Sequence, residues 1–433
     1  MLQFSKRFSL LQVAFWGGAI ATTATLSLFS PFECRSVRAE LQDRPTVVVD
    51  EVWQIVNREY VDGTFNHVDW QATRQSLLSR NYTSREQAYT TIRAALKQLG
   101  DRYTRFLDPK QYQALTDDTS GELSGMELNE KNKRLTVVKA LSKSPALKAG
   151  IKAGDEILAI NGQSTQGMNV ESVSKLIRGK AGTPITLQIG RQGQNNFDVK
   201  LTRANIEVPT VSYTLKQEGN KRVGYIRLSE FSATSPNEMR QAIKALQADQ
   251  VNGFVLDLRG DPGGLLDSSV EIARMWLQNG AIVRTVDRVG DSEEPKANHT
   301  ALTKLPLVVL VDGDSASASE ILSGALQDNH RAVLVGSQTF GKGLVQSLHS
   351  LSDGSGLAVT IAHYYTPDGT DINHKGITPN IKINLTQAQQ QQLATNPDLV
   401  GTQADPQYAQ AITALASNSF ARFPQGQSLI NTQ

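Results

Sequence analysis

Along residues 40–118, apolar side chains recur at helical spacing. Val49, Val52, Trp53, Val56 and Tyr60 form one stripe, the mark of a helix that buries a single face. Ser84-x-x-Gln87 adds a capping box, which predicts a further helix running to about Leu99. Between about 119 and 206 the pattern shortens to strand runs broken by Gly-rich turns. Strands are expected at 135–140, 155–160, 185–189 and 197–201, a helical turn at 144–149 and a helix at 169–178. Residues 207–386 then alternate the two periods. Strands at 222–228, 254–258, 307–311 and 332–335 are separated by helices near 236–247, 265–277 and 317–327. Such alternation means βαβ units around a largely parallel sheet. Residues 387–433 are polar and biased, and read as a weakly ordered extension in which Asp405-Pro406 caps one further short helix.

Composition changes this picture in three places. At 433 residues the chain is long for one compact domain, and two to four are expected. The net charge of +2, with no dense basic stripe, argues against a nucleic-acid partner. Lys6 and Arg7 precede an uncharged run at 8–32, and Val37-Arg38-Ala39 offers small residues at the positions a signal peptidase reads. Residues 1–39 are therefore read as a secretory signal and the protein as exported. The alternative is a retained anchor, because the run nearly matches a bilayer span, which leaves membrane proximity open. Cys34 is the only cysteine, so a mature chain starting after Ala39 has none. That excludes disulfides, a cysteine nucleophile and cysteine-ligated metal. No His-Glu-x-x-His occurs either, and neither a metal nor any other cofactor is expected.

In parallel α/β sheets chemistry gathers beyond the carboxyl ends of strands, where helices begin. Three segments fall at such places: Arg259-Gly260-Asp261-Pro262-Gly263-Gly264, Asp314 to Glu320, and Gln338-Thr339-Phe340-Gly341-Lys342-Gly343. The expectation is that all three lie along one sheet edge. A serine hydroxyl is too weak an acid to attack unaided, and a lysine can take its proton only when neutral. Burial between Gly341 and Gly343 would lower the Lys342 pKa in the required direction, and amides at Gly263 and Ala318 could meet a developing oxyanion. Ser317-x-x-Glu320 is equally a capping box, which needs no catalysis, and spacing does not choose among Ser315, Ser317 and Ser319.

Two resemblances sharpen the reading. The stretches Ser124-Gly125-Met126-Glu127-Leu128, Ser144-Pro145-Ala146 and Ala149 to Gly162 resemble a PDZ domain. From about 99 to 380 the chain resembles the C-terminal processing peptidases, through Ser315-Ala316-Ser317-Ala318-Ser319-Glu320-Ile321, Thr339-Phe340-Gly341-Lys342-Gly343 and Pro262-Gly263-Gly264. That resemblance implies Ser317 as nucleophile, Lys342 as base, Gln346 as the group orienting the lysine, and the Gly263 and Ala318 amides as oxyanion donors. It also implies capture of substrate tails by Gly125, Met126, Glu127 and Leu128, and a coupling role for Arg178. Two places depart from the family pattern: Gly260-Asp261 stands where two Asn residues are common before the Pro-Gly-Gly, and Glu127 where an apolar residue or Gly is usual. The combined expectation is a multidomain chain of α/β and α+β class. It comprises a signal peptide (1–39), an N-terminal helical region (40–118), a PDZ domain (119–206), a ClpP/crotonase-like α/β peptidase core (207–386) and a polar C-terminal extension (387–433). Its implied partners are protein substrates with free C-termini. Similarity to cyanobacterial and plastid members implies a thylakoid-lumen or periplasmic setting, and oligomeric state is not readable. A non-catalytic PDZ scaffold is the rival reading; a Ser-His-Asp hydrolase is disfavoured because no Gly-x-Ser-x-Gly elbow occurs.

Overall fold

The computed structural model describes residues 2–4, 45–116, 125–131, 134–141, 144–204, 209–290 and 292–417. Apart from 2–4, the expected signal segment lies outside them. The chain forms two compact units, one made of residues 113–209 and the other of everything on either side.

The larger unit begins with helices α1 (Pro45–Glu59), α2 (Trp70–Leu78) and α3 (Arg85–Lys97), and strand β1 (Arg105–Leu107). The apolar stripe read from sequence is the buried one: Val49, Val52, Trp53 and Val56 pack with Ile92 and Leu96 of α3. Ser84 caps α3 by accepting the Gln87 N–H at 3.3 Å. These helices are not a free-standing region, however. Their core also contains Leu351, Leu357 and Val359 from far along the chain. Sequence periodicity identifies a buried face but not the partner that buries it.

The smaller unit carries β2 (Met126–Lys131), β3 (Arg134–Ala140), α4 (Pro145–Lys148), β4 (Glu156–Ile160), α5 (Val170–Ile177), β5 (Pro184–Gly190) and β6 (Phe197–Thr202). The strands form one antiparallel sheet in the order β2-β3-β4-β5-β6. Ile157, Ile185, Leu187 and Ile189 pack under Val173 and Ile177 of α5. Strand β2 is the sheet edge.

The chain then returns to the larger unit through β7 (Val211–Glu218), β8 (Lys221–Leu228), α6 (Ser235–Ala248), β9 (Gly253–Asp257), α7 (Leu266–Trp276), β10 (Arg284–Asp287), β11 (Leu307–Val311), α8 (Ala318–Asp328), β12 (Val333–Gly336), β13 (Leu344–Ser350), β14 (Gly356–Tyr365) and β15 (Ile381–Lys382). One sheet has the order β15-β12-β11-β9-β8-β7, parallel except for the β7–β8 pair. Its central strands are apolar on both faces, as a doubly covered sheet requires. Phe254, Leu256, Leu307, Val309 and Leu334 pack with α6, α7 and α8, while Val255, Val308, Leu310, Val333 and Val335 face the other way. A second sheet joins β13, β14 and β10, with β1 on one end of β14. Residues Leu2–Phe4 run parallel to β13.

That other face corrects the expectation for the C-terminus. Beyond α9 (Gln387–Thr395), which buries no side chain, α10 (Pro406–Ala416) packs Tyr408, Ala411 and Ala414 against β8, β9, β11 and β12. Asp405 is the N-cap, accepting the Gln407 and Tyr408 N–H groups, as the Asp405-Pro406 pair suggested. The glutamine-rich run masked a helix whose apolar positions begin only after it, so residues 400–416 are part of the core rather than a loose tail.

Candidate active site

The three glycine- and serine-rich segments do converge at the carboxyl ends of β9, β11 and β12. Ser315 Oγ donates to the Leu258 carbonyl at 2.8 Å, the Ala316 N–H to the Asp261 carbonyl at 3.0 Å, and the Phe340 N–H to the Ser315 carbonyl at 3.1 Å. Ser319 Oγ donates to the Asp261 carbonyl at 3.0 Å. Two of the three candidate serines are thereby consumed in tying the loops together. Ser317 is not.

Ser317 sits at the mouth of α8 with φ 58° and ψ −112°, a region that costs a non-glycine residue about 1–3 kcal/mol. The residue is 1% exposed and its hydroxyl has no hydrogen-bond partner among the described residues. An ordinary N-cap serine spends its hydroxyl on the amide three residues on. Here the Glu320 N–H goes instead to the Ser317 carbonyl at 2.9 Å, and the Ile321 N–H joins it at 3.0 Å. A strained, buried residue whose oxygen caps nothing is costly for stability, and such strain accumulates at functional positions.

Glu320 makes the side-chain bond of a capping box, accepting the Ser317 N–H, and extends it. Its Oε2 accepts the N–H of Ser317 and the N–H of Lys342, both at 2.9 Å. Its Oε1 accepts the Gly341 N–H at 2.7 Å and the Thr339 hydroxyl at 2.6 Å. One carboxylate oxygen therefore holds the backbones of the serine and the lysine together. Lys342 is brought in by two close backbone approaches: a Cβ on Gly341 would fall 2.9 Å from the Lys375 and Gly376 nitrogens, and one on Gly343 2.8 Å from the Asn373 nitrogen. Burial pulls the Lys342 ammonium below its usual range, and the neighbouring Arg105 and Arg102 push the same way against Asp101. Its Nζ lies 4.8 Å from the Tyr103 ring centre.

The glycine pair after β9 closes the other side. Gly263 has φ 97°, and a Cβ there would lie 2.6 Å from the Ala316 carbonyl oxygen and 2.8 Å from the Ala318 nitrogen. Only glycine permits that approach. Ala318 opens α8, and its N–H has no acceptor among the described residues. The Gly263 N–H, in contrast, is taken by Asp261 Oδ1 at 2.8 Å. Gln346 is buried on β13 and donates to Thr360 Oγ1 at 3.4 Å. Lys342 and Gln346 do not lie on one strand. Strand β13 starts only at Leu344, and its register against β14 shifts between Val345 and Gln346.

Comparison with known proteins follows this geometry. Residues 222–383 match peptidase family S41 and residues 136–191 match the PDZ domain family. A carboxyl-terminal-processing protease of Picosynechococcus sp. is 42% identical over 396 residues, spanning 90% of this chain and 93% of that one. Carboxyl-terminal-processing peptidase 3 of Arabidopsis thaliana chloroplasts is 37% identical, over 77% of this chain and 67% of that one. Among solved structures, a photosystem II D1 C-terminal processing protease superposes with a TM-score of 0.52 at 35% identity, covering 78% of this chain and 92% of that one. The chain belongs to peptidase family S41. It is accordingly a serine-type, C-terminal-processing member of that family, built on a PDZ domain and an α/β core.

Around this site, sequence reading missed three contributors. Glu320 was visible only as a capping residue. Tyr364 of β14, buried, donates to the Ser317 carbonyl at 3.2 Å, and burial holds its phenol far above its usual pKa, so it keeps the proton it donates. The 101–105 loop, assigned no chemistry from sequence, places Tyr103, Asp101 and Arg105 around Lys342. Asp101 accepts from Thr360 at 2.6 Å, the same threonine that Gln346 reaches. The pairing of β1 with β14 and the Thr360 bonds to Thr104 and Asp101 bring that loop in, and no local pattern announces it. In the PDZ unit Gly125 has φ 77° and leads into the edge strand β2, where Met126 and Leu128 are half-buried and Glu127 is exposed. Arg178, just beyond α5, is exposed as well.

Proposed function

We propose that this chain is an exported endopeptidase that cleaves proteins near their C-termini with a Ser317–Lys342 pair, after its PDZ domain has taken the substrate's tail. Neutral Lys342 accepts the proton of Ser317 as Oγ adds to the scissile carbonyl carbon. The carbon–nitrogen bond then breaks as Lys342 returns that proton to the leaving nitrogen, and water, activated by the same amine, releases the acyl-enzyme. The Ala318 amide, at the positive end of α8, and the Gly263 amide receive the oxyanion. Gln346, which reaches Thr360, is the proposed orienting group. The observation that carries the reading is the Ser317 hydroxyl, buried, unpartnered and held in a strained turn that shares one Glu320 oxygen with Lys342.

Tail recognition rests on the edge position of β2 and its packing with α5, where an extended tail would add as a further strand at Gly125 to Leu128. Arg178, at the exposed end of α5, is the residue proposed to relay occupancy. A periplasmic or thylakoid-lumen setting is supported by the cyanobacterial and chloroplast relatives; among the described residues no helix is long and apolar enough to cross a membrane.

The test compares the full chain with Ser317→Ala and Lys342→Ala on a peptide ending in a free apolar carboxylate and on its amidated twin. Both variants lose hydrolysis while melting normally, and the wild type prefers the free tail by roughly ten- to a hundredfold. Retained turnover by either variant would overturn the mechanism, and equal cleavage of the two peptides would remove the PDZ from it. A fold with an inert serine, the PDZ-scaffold alternative, is excluded if a fluorophosphonate labels the wild type but not Ser317→Ala.

A further inference from the structure

Asp261 is the one residue at the serine turn whose chemistry the reaction scheme leaves unused. Its side chain is fully buried, yet it is only half satisfied: Oδ1 accepts the Gly263 N–H at 2.8 Å, and Oδ2 has no partner among the described residues. Its backbone is firmly placed, because the Asp261 carbonyl accepts both the Ala316 N–H and the Ser319 hydroxyl at 3.0 Å. The amide it holds is the one that packs against Ser317, since a Cβ on Gly263 would come within 2.9 Å of the Ser317 Cβ. So one of the two amides that an oxyanion needs is free, and the other is occupied by a carboxyl.

We propose that Asp261 is a proton-controlled stop on the oxyanion hole: its ionised carboxylate captures the Gly263 N–H, and its neutral form gives that amide up to the reacting oxygen. This deepens the serine-peptidase reading and rests on it. A hydrogen bond to a carboxylate is about twice as strong as one to a neutral oxygen, so protonation weakens the grip on Gly263. It also removes a buried negative charge from beside the spot where the intermediate's oxygen turns negative. The change falls within reach of ordinary conditions. Burial drives the Asp261 carboxyl up to about 7 despite the Gly263 hydrogen bond and the nearby Ser319 hydroxyl, which both pull it down, and Glu230 adds to the rise. Among the described residues no neighbouring cation opposes this. Arg259, two residues earlier, is turned into Asp257, Asp405 and Gln407. Asp312 accepts the Gly260 N–H, and Glu320 on α8 is committed to Ser317, Thr339, Gly341 and Lys342.

Asp261 is therefore a positioning residue whose signature is the shape of the pH profile. Lys342 must lose its proton and Asp261 must keep its own, so kcat/KM should rise and then fall with pH. In Asp261→Asn the falling limb disappears, and activity at pH 8 increases by roughly tenfold, less than the ~10²–10³ that a wholly absent donor costs. A peptide boronate, which forms a tetrahedral anion on serine, should gain a similar factor at pH 8 and little at pH 5.5. Melting temperature gives a readout independent of turnover. A carboxyl raised above its unfolded value stabilises below about pH 4 and loses that contribution as pH climbs through 7. Asp261→Asn should thus gain more stability over wild type at pH 8 than at pH 5.5. Asp261→Ser serves as a second variant if the amide disturbs the loop. An unchanged falling limb in both variants, or lower activity at every pH, overturns the proposal. If fluorophosphonate still labels Ser317 in that case, only the role of Asp261 has failed; without labelling of wild-type Ser317, the underlying mechanism has failed instead.

Discussion

The segment after β9 feeds two buried polar clusters, one on each side of the parallel sheet's edge, and they are satisfied to different degrees. In the first, Arg259 makes paired hydrogen bonds to Asp257 (2.9 and 2.6 Å) and to Asp405 (3.0 and 2.8 Å) and a further one to Gln407. Tyr225 donates to Asp257 at 2.6 Å. Burial would raise the Asp257 carboxyl, but Arg259 and the Tyr225 hydroxyl outweigh it and hold the group below the usual carboxylate range. The second cluster, around Ser317, leaves Ser317 Oγ and Asp261 Oδ2 without partners among the described residues. Buried polar groups are nearly always paired, so the first cluster reads as architecture, docking α10. The second spends stability on atoms kept available. Glu320 belongs to the second cluster in place but to the first in character, since its carboxylate is filled by four donors.

That dual character gives the largest expected effect. Glu320→Ala strips the acceptor from Ser317, Gly341, Lys342 and Thr339 at once, so the serine turn and the lysine loop separate. A displacement near 1 Å costs about 10²-fold in rate, and kcat/KM should fall at least that far, with a lower melting temperature. Near-normal turnover would show that Glu320 is architecture alone. Asp405→Ala should behave oppositely. Arg259 keeps Asp257, but α10 loses both its cap and its ion pair, at about 3 kcal/mol. Denaturant unfolding should register that loss while kcat/KM on the folded enzyme stays within about twofold. A large rate loss in Asp405→Ala would erase the distinction between the clusters.

The contrast also marks what the sequence could carry. The βαβ order, the three segments at one edge and the buried stripe of α1 were legible, because each is written in local period and turn chemistry. Choosing Ser317 over Ser315 and Ser319 was not, on spacing alone. It takes the tertiary contacts of Ser315 with Leu258 and of Ser319 with Asp261 to show which hydroxyl is left over. The Asp405 cap was readable, but its bond to a residue 146 positions earlier was not, so a docked helix looked like a tail. The departure at Asp261 was visible in sequence; that its carboxyl folds back onto the Gly263 amide depends on a φ of 97° that no composition reveals.

The smallest effect tests how far the strain at Ser317 is supported from outside its own turn. Tyr364 donates to the Ser317 carbonyl at 3.2 Å, but that oxygen also receives the Glu320 and Ile321 N–H groups at 2.9 and 3.0 Å. Tyr364→Phe removes the longest of the three bonds and keeps the ring that packs in the core. The carbonyl stays satisfied, so the loss is that of one neutral hydrogen bond, about 1 kcal/mol or less. If the tyrosine helps hold Ser317 at its strained φ, the loss should appear in kcat, by about fivefold or less, with KM unchanged, because the turn meets the substrate only in the reacting geometry. A rise in KM at constant kcat would place Tyr364 in substrate binding instead. No change in either would mean that the α8 amides alone keep the serine in place.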